Sequence, residues 1–232
     1  MSDKNYILQA KSIKKDFNQT PALRGASLDI KQGEVLAIMG PSGSGKSTML
    51  HCLAGIFRPD EGETWFDGTR TDTLNEEERA RLRRTDFGFV FQFGQLIPEL
   101  TAADNIAMPL LLNKVDRKTA YEQANIWLTR LGLENLGDHR SGELSGGQAQ
   151  RVALGRALVI KPKVLFADEP TGALDSITGE QVMEIMVDLA RQDGTTVVIV
   201  THDARIAAYA DREIIVRDGK VATTQSSAKV VR

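Results

Sequence analysis

Apolar residues change their spacing along this chain of 232 residues, and the changes mark out its elements. Val35–Met39, residues 164–167 and Thr196–Val200 are short, unbroken apolar runs of the kind buried on both faces of a sheet. Helical spacing takes over between them. Met49, Leu50, Leu53 and Ile56 share one face of residues 47–56, and Val182, Ile185, Met186 and Leu189 repeat the same period later. Strands alternating with helices predict an α/β fold with a mainly parallel sheet covered on both sides. The first thirty residues and residues 64–67 alternate polar and apolar instead, which predicts an antiparallel β flap. Residues 212–216 run into Asp218-Gly219, a hairpin turn signal.

A stretch of different character separates the early and late strands. Thr101-Ala102-Ala103-Asp104 reads as a capping box before an apolar helix. Ala120, Tyr121, Ala124, Trp127, Leu128 and Leu131 then mark an amphipathic helix. The predicted organisation is a single domain in which a helical sub-domain, residues 93–158, is inserted into a core built from residues 1–92 and 159–232. Glu76, Glu77 and Glu78 followed by Arg79, Arg81, Arg83 and Arg84 resemble a nucleic-acid patch only superficially. Thr73 with Glu76 fits a capping box and Glu77 with Arg81 an i,i+4 pair, so a solvated, self-paired helix is expected.

Bulk composition narrows the partners. A net charge of −2 supplies no electrostatic attraction for nucleic acid, and none is expected as a partner. Cys52 is the sole cysteine, so no internal disulfide forms and a reducing compartment is expected. The polar start Met1 to Asn5 lacks the apolar core of a secretion signal. The longest apolar runs, such as residues 106–112, fall far short of the ~20 residues that span a bilayer. Any service to a membrane is therefore expected to go through a partner.

Chemistry enters with Gly40-Pro41-Ser42-Gly43-Ser44-Gly45-Lys46-Ser47, followed by Thr48, which fits the phosphate-binding P-loop between a strand and a helix. Phosphates arrive as oxyanions, so closely spaced backbone N–H donors are needed with no side chain in the way. Gly40, Gly43 and Gly45 let the backbone curl to provide them, and the following helix adds its positive end. Lys46 can reach the β- and γ-phosphates, and the Ser47 hydroxyl can hold Mg²⁺. Asp168-Glu169 follows the strand at 164–167, at the sheet edge where α/β proteins bind ligands. Asp168 fits a Mg²⁺ ligand and Glu169 a base for the attacking water. A second anion-binding helix start is Leu144-Ser145-Gly146-Gly147-Gln148, with Ser145 as N-cap. Two half-sites in one chain suggest face-to-face dimerisation around ATP.

With both motifs in place, the chain resembles the nucleotide-binding subunit of ATP-binding-cassette (ABC) transporters over nearly its whole length. The resemblance implies a P-loop NTPase fold with a RecA-like sheet, ATP and Mg²⁺ as cofactors, and a homodimer. It implies that Gln92, closing Gly88-Phe89-Val90-Phe91, is the Q-loop glutamine that contacts Mg²⁺ and the γ-phosphate. Gly172-Ala173-Leu174-Asp175 is similar to the D-loop, which brings Asp175 across the dimer interface, and His202 is similar to the γ-phosphate switch histidine. Phe17 takes the place of the adenine-stacking aromatic, where the family more often has Tyr. His51 and His139 are expected to be bland, and His51 and Cys52 to need no role beyond packing.

Residues 91–101, with Asn105 after them, resemble the group that powers MacB-like permeases: lipoprotein, macrolide, antimicrobial-peptide and haem exporters, and the FtsEX division complex. The Gly in Gly172-Ala173-Leu174-Asp175, where many relatives have Ser, points the same way. Gly94-Gln95 departs from that group's pattern of an aromatic and Asn. The resemblance implies an ATPase on the cytoplasmic face of the inner membrane, attached through two separate permease subunits of MacB/FtsX type. Its implied role is export of a hydrophobic or amphiphilic compound (haem, peptide, drug or lipoprotein). Alternatives are an FtsE-like mechanical ATPase and a soluble ABC ATPase of iron–sulfur assembly.

Overall fold

The computed structural model describes residues 6–18 and 20–225. The polar start, residue 19 and residues 226–232 lie outside them. Two sheets carry the architecture. The antiparallel flap has the order β2-β1-β4-β5, with β1 Tyr6–Phe17, β2 Thr20–Lys31, β4 Glu61–Phe66 and β5 Thr69–Arg70. The main sheet has the order β10-β9-β3-β8-β7-β6. Its strands are β3 Val35–Met39, β6 Phe87–Phe91, β7 Val164–Asp168, β8 Thr196–Val200, β9 Arg212–Arg217 and β10 Lys220–Gln225. Every pairing from β9 across to β6 is parallel, and β9–β10 is an antiparallel hairpin turned at Asp218 and Gly219, both at positive φ. That is the type I′ geometry Asp-Gly favours.

Seven helices are described: α1 Lys46–Leu53, α2 Glu76–Thr85, α3 Ala102–Leu112, α4 Arg117–Arg130, α5 Gly146–Leu158, α6 Ser176–Asp193 and α7 Ala204–Ala207. One apolar cluster joins α1 and the flap to one face of the main sheet through Leu36, Ile38, Phe166 and Val198. The other joins α3 to α6 to the opposite face through Leu165, Ala167, Val197 and Ile199. Alternate residues of each buried strand thus feed opposite layers, as the unbroken apolar runs require.

Local chemistry sets the helix starts. Thr101 and Asp104 close a capping box at α3, and Asp116 and Asp175 cap α4 and α6. Buried Asn105 then accepts from Ile97 N and donates to the carbonyls of Ile97, Leu100 and Thr101, fixing the loop that leads into α3. Three expectations are corrected. The helix after the P-loop ends at Leu53 rather than Ile56. The cap of α2 is Asn75 with Glu78, not Thr73 with Glu76. Its ion pairs are Glu76 with Arg79 and Arg83, because both arginines turn inward and donate to the Gly55 carbonyl, which draws Glu76 to them in place of a Glu77–Arg81 pair.

Candidate functional site

Register brings four strand ends to one edge. Phe91 pairs with Asp168, Asp168 with Val200, and Val200 with Ile38. Gln92, Glu169, His202 and the loop from Gly40 therefore emerge side by side at the carboxyl end of the sheet, where open α/β sheets bind ligands.

The loop itself is bent by close backbone approach. Gly45 lies at φ 103, and a Cβ there would sit 2.4 Å from the Ala22 carbonyl oxygen of the flap. A Cβ on Gly40 would meet the Val216 carbonyl oxygen of β9 at 2.1 Å. No side chain caps α1, so its first amides stay available to an anion. They face a pocket of 160 Å³ lined by Ala22, Gly43, Gly45, Lys46, Ser47 and Thr48. Pro41 and Ser42 form the exposed crown of the loop, while the Ser44 hydroxyl is turned inward. Lys46, 7% exposed, donates to the carbonyls of Gly40 (2.9 Å) and Pro41 (3.0 Å), which holds its ammonium across the loop. A larger cleft of 740 Å³ lies at the amino ends of β3 and β9, beside Glu34 and Arg212, away from all of these groups.

Ser47 Oγ donates to Asp168 Oδ1 at 3.0 Å. Burial pushes the Asp168 carboxyl above its ordinary value, only partly offset by that bond and by nearby positive charge. His51 Nε2 lies 3.9 Å from the other Asp168 oxygen, and burial pulls the imidazole below its ordinary value against that attraction. His51 therefore has a neighbour that the packing role expected of it did not include. Burial pushes the Cys52 thiol up to about 12, which makes it inert. Ser47 and Asp168 fit Mg²⁺, a cation held by one or two carboxylates plus substrate phosphates rather than by an all-protein cage.

Glu169 leaves the strand in the left-handed region at φ 49, anchored by its N–H on the Val200 carbonyl. Such a conformation costs a non-glycine residue on the order of 1 kcal/mol and is kept where the position matters. It turns the carboxylate to His202, whose Nδ1 is 2.9 Å from Oε1. Gln92 packs over Gly172, where a Cβ would lie 2.9 Å from Gln92 Nε2. Glycine at 172 gives this Gln92 position its room.

Elsewhere, Ser145 and Gln148 close a capping box at the start of α5, leaving Ser145 and Gly146 exposed. Leu144 packs on the helical core beneath them, and buried Gly147 abuts Thr178 of α6. Asp175 is exposed at the start of α6. Phe17 ends β1, 41% exposed, edge-on to Phe57, which in turn meets His51. None of Leu144, Ser145, Gly146, Gly147, Gln148 and Asp175 lines the pocket beside Lys46.

The family model described as ABC transporter matches residues 23–172. The chain belongs to the ABC transporter family. It is an α/β P-loop ABC ATPase of the MacB/LolD/FtsE-like group. It is 46% identical to the lipoprotein-releasing system ATP-binding protein LolD of Myxococcus xanthus, across 94% of each chain. It is 45% identical to the uncharacterized ABC transporter ATP-binding protein MJ0796 of Methanocaldococcus jannaschii, covering 86% of this chain and 87% of that one. A dimeric, post-hydrolysis structure of the MJ0796 cassette bound to ADP and Pi superposes with a TM-score of 0.88 at 40% identity, covering 96% of this chain and 99% of that one. Among the described residues of this ABC subunit, no helix is long and apolar enough to cross a membrane.

Two side chains of this ABC ATPase escaped the motif reading. Gln150, 3% exposed, donates to the carbonyls of Phe91 (2.9 Å) and Pro170 (2.5 Å). Arg156 donates to those of Gly94 and Gln95, both at 2.8 Å. The available signal was a glutamine on the otherwise apolar or small stripe of α5, with Gly147, Leu154, Ala157 and Leu158.

Proposed function

We propose that two copies of this ATPase close around two ATP molecules and thereby drive a pair of separate MacB-like permease subunits at the cytoplasmic face of the inner membrane. The observation that carries the reading is the half-pocket: 160 Å³ beside Lys46 holds part of a nucleotide, where whole small-molecule sites run to ~300–1,000 Å³. The Leu144 to Gln148 turn of a second copy, with its Asp175, would supply the missing wall. Phe17 would stack on adenine. In this reading residues 93–158 act as a helical unit that carries the turn.

The phosphates would lie against the loop of Gly40, Pro41, Ser42, Gly43, Ser44, Gly45, Lys46, Ser47 and Thr48, held by backbone N–H groups, of which Pro41 has none. Lys46 would exchange its two loop carbonyls for phosphate oxygens. Ser47, Asp168 and Gln92 would hold Mg²⁺, which neutralises phosphate charge when bound with ATP. Glu169 takes the proton of the attacking water while His202 fixes the carboxylate and reaches the γ-phosphate. The groove of 390 Å³ lined by Phe89, Phe91, Pro109 and Leu112 together with Arg83 and Arg84 suits a permease helix. The relatives named for lipoprotein release favour a lipoprotein among the cargo classes.

Glu169→Gln keeps the shape and removes the base. Turnover should fall by about 10²-fold or more, with Mg·ATP-saturated protein eluting as a dimer in size-exclusion chromatography. Normal hydrolysis by this variant would defeat the assignment of Glu169.

A further inference from the structure

The two catalytic loops are not held by their own strands alone. Phe91 precedes Gln92, and Pro170 follows Glu169; the buried amide of Gln150 donates to the carbonyls of both. The Phe91 carbonyl has a second partner in Gly94 N, but among the described residues the Pro170 carbonyl has only Gln150. Two and three residues beyond Gln92, the chain turns through Gly94 and Gln95 at positive φ, and Arg156 grips both carbonyls of that turn. The Arg156 side chain is part-buried, and burial pulls its pKa down; among the described residues no carboxylate pairs with it. Two charge-assisted hydrogen bonds thus hold this turn to the Arg156 side chain.

Both side chains stand on α5, the helix whose first turn is Ser145 to Gln148. We propose that Gln150 and Arg156 are positioning residues. They lock the Gln92 and Glu169 loops to α5, so that a displacement of Ser145 moves both catalytic side chains together. The inference rests on Gln92 and Glu169 being the site residues, and adds the device that keeps them in register. Because Arg156 also lines the groove proposed for a permease helix, the same clamp ties permease docking to water activation.

Gln150→Met fills nearly the same volume without a donor, and Arg156→Lys keeps the charge but loses the planar fork whose two nitrogens each reach one carbonyl. Steady-state ATPase is measured with equilibrium binding of a fluorescent ATP analogue, and Glu169→Gln runs alongside as the reference for the site itself. Loss of register of about 1 Å predicts a fall in kcat approaching 10²-fold in Gln150→Met, with a smaller fall in Arg156→Lys. Analogue affinity should stay within about threefold, since neither residue lines the pocket beside Lys46. A kcat within about twofold of the parent in both variants, or kcat and affinity falling together, overturns the proposal. If Gln150→Met does not fold, the Arg156→Lys split decides by the same criteria. Retained turnover in Glu169→Gln would instead unseat the site reading and leave the clamp geometry standing.

Discussion

At the scale of single residues, the site is bought with stability. Asp168 is buried, and its folded-state pKa is raised, chiefly by that burial. For a carboxyl shifted upward, the folded state binds its proton more tightly than the unfolded chain does. Stability from this group therefore declines as pH rises from the unfolded value through the folded one, and at neutral pH the fold carries the whole cost of the charge. Asp168→Asn removes the charge and keeps an oxygen to accept from Ser47 Oγ. Without nucleotide, the variant should melt above the parent in calorimetry at pH 7, while ATP turnover falls by at least about 10²-fold. A lower melting temperature would show that burial of the Asp168 charge is not the destabilising element argued here. Glu169 illustrates the same trade through its backbone, held at φ 49 to face His202.

Elements were legible where a local rule had one solution. Unbroken apolar runs ending in Gly40 and Asp168 could only be buried strands feeding a loop, and Asp218-Gly219 could only turn a hairpin. The start of α2 was ambiguous, because Thr73 and Asn75 each stand three residues before a glutamate and either can cap. The fold uses Asn75 with Glu78, and the pairing of Glu76 with Arg79 and Arg83 follows the contact of both arginines with the Gly55 carbonyl, which no local window contains. His51 beside Asp168 and Gln150 between Phe91 and Pro170 escaped for the same reason: each joins segments 20 or more residues apart. Gly88 is a third case. It reads as an ordinary strand glycine, yet a Cβ there would lie 2.6 Å from the Ala157 carbonyl oxygen of α5 and 3.1 Å from Leu165 Cδ1. Backbone cannot rotate away as a side chain can, so Gly88→Ala must push α5 off β6. An overpacking cost of about 1–3 kcal/mol should appear as a lower urea midpoint with unchanged slope. A midpoint equal to the parent's would mean that α5 yields without penalty.

At the scale of the whole molecule, the separation of the pocket beside Lys46 from the Ser145 turn has an arithmetical consequence. Lys46→Ala damages the phosphate loop but leaves the turn intact; Ser145→Arg blocks the turn but leaves the loop intact. Each variant alone builds only damaged composite sites, so each should be inactive. When equal amounts are mixed under saturating Mg·ATP, random pairing makes about half the dimers mixed, and each mixed dimer holds one site with both halves intact and one with neither. Independent sites would then return about a quarter of parental activity per chain. A ratio series should peak at equimolar mixing, since the mixed dimer is most abundant there. If each chain completed its own site, every site in the mixture would keep a defect, and no ratio would restore turnover. Flat, background activity across the series, with exchange between the two variants verified by a tag on one of them, would refute the shared site at its root. Recovery with the predicted peak would place the missing wall of the 160 Å³ pocket on the opposite chain.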